Sequence, residues 1–148
     1  MSSSMFHPLL VHFPIALLLV GFIFVTIAIF GRLKCKNTCA VTESANPCCI
    51  ERAGYWLLVL GTLGAIASVL SGLFFTTAMD GMMGQKRDIH QLFAVMTMSV
   101  SIISAAVLTY HTYGKKKSCG VFWIGYILYA VVAVLVSITG HLGGMMVY

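Results

Sequence analysis

Four long apolar runs alternate with short polar stretches along the chain: roughly Pro8 to Phe30, Tyr55 to Phe75, His90 to Tyr110 and Val121 to Val147. Each run reaches the roughly 20 residues needed to cross a hydrocarbon core. Backbone polar groups in lipid must be satisfied within the segment, so the runs predict helices. The connections are short, which favours an up-down-up-down arrangement of neighbours. The expectation is an all-α, integral membrane four-helix bundle forming one domain over residues 1–148.

Composition agrees with that pattern. The chain is 59% hydrophobic and 9% charged, against about 25% charged residues in a soluble domain. Too few charges remain to cover a water-facing surface. The N-terminus, Met1 to Phe6, lacks the basic region of a signal peptide, so the first run is expected to stay as an anchor.

The charges report topology. The first loop region holds Arg32, Lys34, Lys36 and Arg52, and the third holds Lys115, Lys116 and Lys117. The second has Lys86 and Arg87, offset by Asp80 and Asp88. The positive-inside rule puts loops one and three in the cytoplasm and both termini outside. A membrane crossed several times is the expected location. No basic patch is interleaved with aromatics, so no nucleic-acid surface is expected.

Several local signals refine the elements. Asn46-Pro47 suits an N-cap followed by a first-turn proline for helix two. Asp88 with Gln91 resembles a capping box for helix three. Pro14 removes a backbone donor inside helix one and is expected to bend it near His12. Gly64, Ser68 and Gly72 in helix two recur every four residues, as do Gly140 and Gly144 in helix four. Small residues at that spacing let another backbone approach. The helix-two face is a candidate contact, within one chain or between copies.

Histidines supply the candidate chemistry. His12 is 20 residues from Arg32, His90 is 25 from Lys115, and His141 is 24 from Lys117. At the α-helical rise these are all about 30–38 Å from the basic ends. Three helices therefore bring an imidazole to one layer near the outer boundary. Ionisable side chains are costly at membrane depth and usually face a bundle interior with a function. Two inward-facing histidines on different helices can hold a b-type haem, with the third bonding a propionate or a quinone oxygen. Gly140, Gly143 and Gly144 are expected to leave room for the porphyrin beside His141. His7, one turn and more above His12 and pointing elsewhere, is an outer-rim partner or a ligand of a second site. His111 is at the opposite end and reads as an ordinary interfacial residue.

Methionine keeps a second reading open. Met79, Met82, Met83, Met145 and Met146 fall on the outer side, with Met5 nearby. Thioether and imidazole together suit copper, Cu(I) in particular, although methionine is also ordinary gap-filling material. A third reading is a structural subunit with no cofactor. The five cysteines, Cys35, Cys39, Cys48, Cys49 and Cys119, fall on the cytoplasmic side, where thiols are expected to stay reduced. No nucleophile–base–acid set and no phosphate-binding glycine loop are present, so a non-catalytic subunit is expected.

The opening His7-Pro8-Leu9-Leu10-Val11-His12-Phe13-Pro14-Ile15-Ala16-Leu17 and the closing Gly140-His141-Leu142-Gly143-Gly144-Met145-Met146-Val147-Tyr148 resemble two motifs of a bacterial family of small membrane proteins, domain of unknown function 2231. The histidine at the start of helix three, His90, also matches. The resemblance covers nearly the whole chain and implies a four-helix membrane protein. Some relatives look like b-type cytochromes or parts of electron-transfer complexes. That implies a membrane electron-transfer subunit acting with lipid and other membrane or periplasmic redox subunits, or as a homo-oligomer. The cysteine-rich first loop is outside the family pattern.

Overall fold

The computed structural model describes residues 6–34, 49–75, 82–114 and 118–145, with side chains over 11–31, 49–74, 84–114 and 118–145. They form four helices: α1 (Phe6–Lys34), α2 (Cys49–Phe75), α3 (Met82–Tyr113) and α4 (Cys119–Gly144). Each carries an apolar window long enough to cross a membrane. The helices follow one another around a ring. The α1–α2 and α3–α4 hairpins pack most extensively, and α4 closes back on α1 through the least extensive of the four seams. One end of the bundle carries His12, His90 and His141. The other carries Arg52, Cys119 and the flanks of the basic loops.

All four helices begin before their apolar runs do, and α3 begins earliest of all relative to its run. Its start at Met82 corrects the capping-box expectation, because Asp88 lies inside the helix rather than ahead of it. The physical reason is plain. Gln85, Lys86 and Arg87 are good helix formers, and Gln85, Lys86 and Asp88 are exposed. At about 1.5 Å per residue, the 32 residues of α3 span about 48 Å, well beyond a hydrocarbon core of about 30 Å. Hydropathy marks only the part of a helix that sits in hydrocarbon. Asn46-Pro47 lies outside the described residues.

The bundle is apolar outside and mixed inside. Phe30, Leu63, Phe74, Ile127 and Val134 are among the most exposed large side chains. Thr62, Ser71, Thr97, Ser101, Ser104 and Thr139 are buried with Leu18, Leu58, Tyr129 and Val132. An apolar shell of this extent is incompatible with a water-facing monomer, whereas small and hydroxyl residues between helices are the packing material of membrane bundles. Most of the hydroxyls bond back to a carbonyl one turn earlier, as Thr62 does to Leu58 at 2.8 Å and Thr97 to Phe93 at 2.7 Å. A few cross between helices. Tyr55 meets Thr109 at 2.9 Å, Thr97 meets Thr139 at 3.2 Å, Thr26 meets Tyr126 at 3.2 Å, and Ser104 donates to the Gly125 carbonyl at 3.1 Å.

Glycines set the α1–α2 seam. A Cβ on Gly54 would meet the Val25 side chain at 2.6 Å and the Gly21 carbonyl at 2.9 Å. One on Gly61 would meet Leu18 at 2.8 Å, and one on Gly64 would meet Pro14 at 3.1 Å. The Gly64 contact is therefore made within the chain, against the buried ring of Pro14. Gly54 and Gly61 lie outside the four-residue repeat that singled out Gly64.

Candidate functional site at the histidine end

Ile15 and Gly140 fix the register of α1 against α4 at the histidine end, since a Cβ on Gly140 would lie 3.3 Å from Ile15 Cδ1. The helices are antiparallel here. His12 lies three residues outward of Ile15 and His141 one residue outward of Gly140, so their levels differ by only about 3 Å.

Helical rotation then places the two imidazoles around the helices. On α1, Pro14, Leu18 and Val25 face α2, while Ile15, Phe22 and Thr26 face α4. Position 12 is about 60° beyond Ile15 in the sense leading away from α2. On α4, Gly125 and Gly143 face α3, while Gly140 and Tyr126 face α1. Position 141 is about 100° beyond Gly140, away from α3. His12 and His141 thus flank the outer side of the same α1–α4 groove, and both are exposed.

His90 does something else. A Cβ on Gly143 would come 3.2 Å from its Cε1 and 3.6 Å from its Nδ1, so the ring covers Gly143 across the α3–α4 seam. Its Nδ1 is shut away from solvent. The glycine expected to leave room for a porphyrin leaves room for this imidazole instead. Gly140 is taken up by Ile15, and nothing stands within 4 Å of a Cβ placed on Gly144.

The three histidines share a layer, as their distances from the basic ends require, but they do not face one interior space. Among the described residues no three His, Cys, Asp or Glu side chains come close enough to share an ion. A b-type haem inside the bundle calls for two histidines turned inward, whereas His12 and His141 are exposed and His90 is half-buried. What the geometry does offer is a pair on adjacent helices with a third donor of another kind. Met145 follows His141 by four residues, which places both on one face of α4, and Met145 is exposed.

The remaining candidates divide simply. His7 lies in the first turn of α1, and Met82 and Met83 open α3, but their side chains are outside the described set. Met5, Met79, Met146, Cys35, Cys39 and Cys48 are outside the described residues. Cys49 and Cys119 are thiols, exposed and half-buried respectively.

The basic end holds a feature that the sequence did not single out. His111 packs its ring on Phe122, with centroids 5.3 Å apart, and its Nε2 is buried. It lines a cavity of about 30 Å³ with Val25, Glu51, Arg52 and Thr112, so all four helices contribute once Phe122 of α4 is counted. Rings continue from there: Phe122 to Trp123, Trp123 to Tyr126, and Tyr126 to Phe22. Tyr55, Trp56 and Tyr113 form a second group. Amphipathic aromatics gather at membrane–water boundaries, and Trp56, Tyr113 and Trp123 sit near the ends of their spans, whereas Tyr126 and Phe22 carry the ring contacts into the bundle.

Four apolar helices with hydroxyls and glycines between them, and large apolar side chains around them, define an integral membrane protein of the helical-bundle class. Residues 4–148 match the family described as predicted membrane protein (DUF2231), and the chain belongs to that family. No curated protein and no solved structure matches it.

Proposed function

We propose that the protein is a metal-handling subunit of a bacterial inner membrane, taking up a soft transition-metal ion, Cu(I) above all, at its periplasmic end. His12 and His141 are the imidazole donors and Met145 the thioether donor. The observation that carries this reading is that the two histidines flank one exposed groove at nearly one level, with Met145 one turn from His141. Thioether with imidazole matches the ligand preference of Cu(I). Binding an ion also gives two imidazoles at the membrane boundary a task that lipid cannot supply. The orientation follows from the seven basic residues flanking one end against two flanking the other.

The rival reading is electron transfer through a b-type haem within a larger redox complex, with quinone or a periplasmic protein as partner. It draws on the same histidines, so one experiment separates the two. The purified protein is examined for visible absorption and for copper content after anaerobic Cu(I) loading. One equivalent of Cu(I) without a Soret band is the expected result. A Soret band lost on replacing His12 or His141 selects the haem reading. Neither band nor bound copper sinks both and leaves a structural subunit.

A further inference from the structure

We infer that the cavity at the basic end seats the headgroup of an anionic phospholipid bearing free hydroxyls, of the phosphatidylglycerol kind. This site is distinct from the histidine end and does not rest on the metal reading. The cavity lies beside the aromatics near the span ends, at the depth where lipid headgroups begin. Its lining brings together Arg52 and His111 as donors, with the Thr112 hydroxyl beside them. Arg52 is exposed while Glu51, His111, Thr112 and Phe122 are half-buried and Val25 is buried, which suits a long cationic side chain reaching from an apolar stem to the headgroup layer.

A second, independent feature also favours an anion. Glu51 and Arg52 lie in the first turn of α2, a helix of 27 residues. The positive end of the helix dipole lies toward this end of α2 and favours an anion beside it. Basic pockets between membrane helices on the cytoplasmic side take anionic headgroups on the same physical grounds.

Glu51 selects among anions. Its carboxylate lines the same cavity and only accepts hydrogen bonds at neutral pH. A phosphodiester alone has no hydrogen to give it, whereas a glycerol headgroup donates hydroxyls to it while its phosphate meets Arg52 and His111. The cavity itself holds about two waters, so the phosphate sits at the mouth and the hydroxyls reach inward. Phe122 and Val25 supply apolar walls where the first acyl carbons leave the headgroup.

The test is native mass spectrometry of the full-length protein released from micelles containing equal phosphatidylglycerol and phosphatidylcholine of one acyl composition. One retained phosphatidylglycerol is expected, preferred about fivefold or more. Arg52→Gln is expected to abolish that preference, and a Lys86→Gln/Arg87→Gln variant at the other end is expected to keep it. A thermal melt in detergent confirms that each variant is folded, and Arg52→Lys serves as a conservative second variant expected to retain part of the preference. Equal retention of the two lipids overturns the proposal. So does a preference lost equally in the Lys86/Arg87 variant, which would mean general charge attraction. Complete displacement of phosphatidylglycerol by millimolar inorganic phosphate would assign the site to free phosphate instead and overturn the lipid assignment.

Discussion

α1 is held by two seams of different construction. Against α2 it is closed by backbone: Gly54 sits under Val25 and the Gly21 carbonyl, Gly61 under Leu18, and Gly64 under Pro14. Against α4 it is closed by side chains: Phe22 stacks on Tyr126 at 5.7 Å, Thr26 meets the Tyr126 hydroxyl at 3.2 Å, and Ile15 reaches Gly140. Tight backbone approach leaves no room for anything but the helices. Side-chain closure holds the two backbones farther apart, and His12 and His141 lie along the outer side of this seam. In lipid the hydrophobic effect does not drive helices together, so packing contact decides which seam is firm. The firm seam makes the hairpin, and the looser one leaves space for a site.

The contrast predicts a graded response to substitution. Gly54→Val is expected to do the most damage, because the added atoms meet the Gly21 backbone, which cannot step aside. A loss of about 3 kcal/mol, at the upper end of core overpacking, should appear in detergent unfolding. Gly21→Val should act similarly, since its Cβ runs into the Tyr129 hydroxyl and Leu57. Gly54→Val with unchanged stability would mean that the α1–α2 seam is not closed by backbone, whereas Gly21→Val also probes α4 through Tyr129.

Gly61→Ala is expected to cost less, about 1 kcal/mol. Its main obstacle is the Leu18 side chain, Cγ and Cδ2 both at 2.8 Å, which can yield more readily than the Gly21 backbone. At the α4 seam the effects shrink further. Removing the interhelical hydroxyl contact by Thr26→Val should cost about 0.6 kcal/mol, the average for such bonds in a membrane protein. A double-mutant cycle with Tyr126→Phe isolates the pair, and zero coupling would remove this bond from the seam. Gly144→Ala, with open space around it, is expected to be neutral or slightly stabilising because alanine is the better helix former.

Much of this was legible in the sequence, for physical reasons that also show where reading stops. Hydropathy gave four spans because lipid tolerates no irregular backbone. It misjudged the start of α3 because Gln85 to Asp88 are helical yet stand outside hydrocarbon. The common level of His12, His90 and His141 could be counted from the basic ends, since rise per residue is fixed. Their directions could not, because azimuth has meaning only once Pro14 is known to face α2 and Gly140 to face α1. Gly54 and Gly61 are seven residues apart, two turns on one face, and that spacing was the available signal for the firm seam. Nothing in the sequence tied His111 to Glu51 and Arg52, which meet only when α2 and α3 are packed.

The central claim is that His12 and His141, not His90, hold the metal. The direct measurement is anaerobic Cu(I) affinity, by competition with a chromogenic chelator, for the wild type and the His12→Ala, His141→Ala and His90→Ala variants in detergent. His12→Ala and His141→Ala are each expected to weaken binding by about 100-fold or more, equivalent to about 2.7 kcal/mol. His90→Ala should bind as the wild type does, because its ring is occupied in covering Gly143. Loss of Cu(I) in His90→Ala with retention in His12→Ala and His141→Ala would contradict the account and return the site to the interior of the bundle.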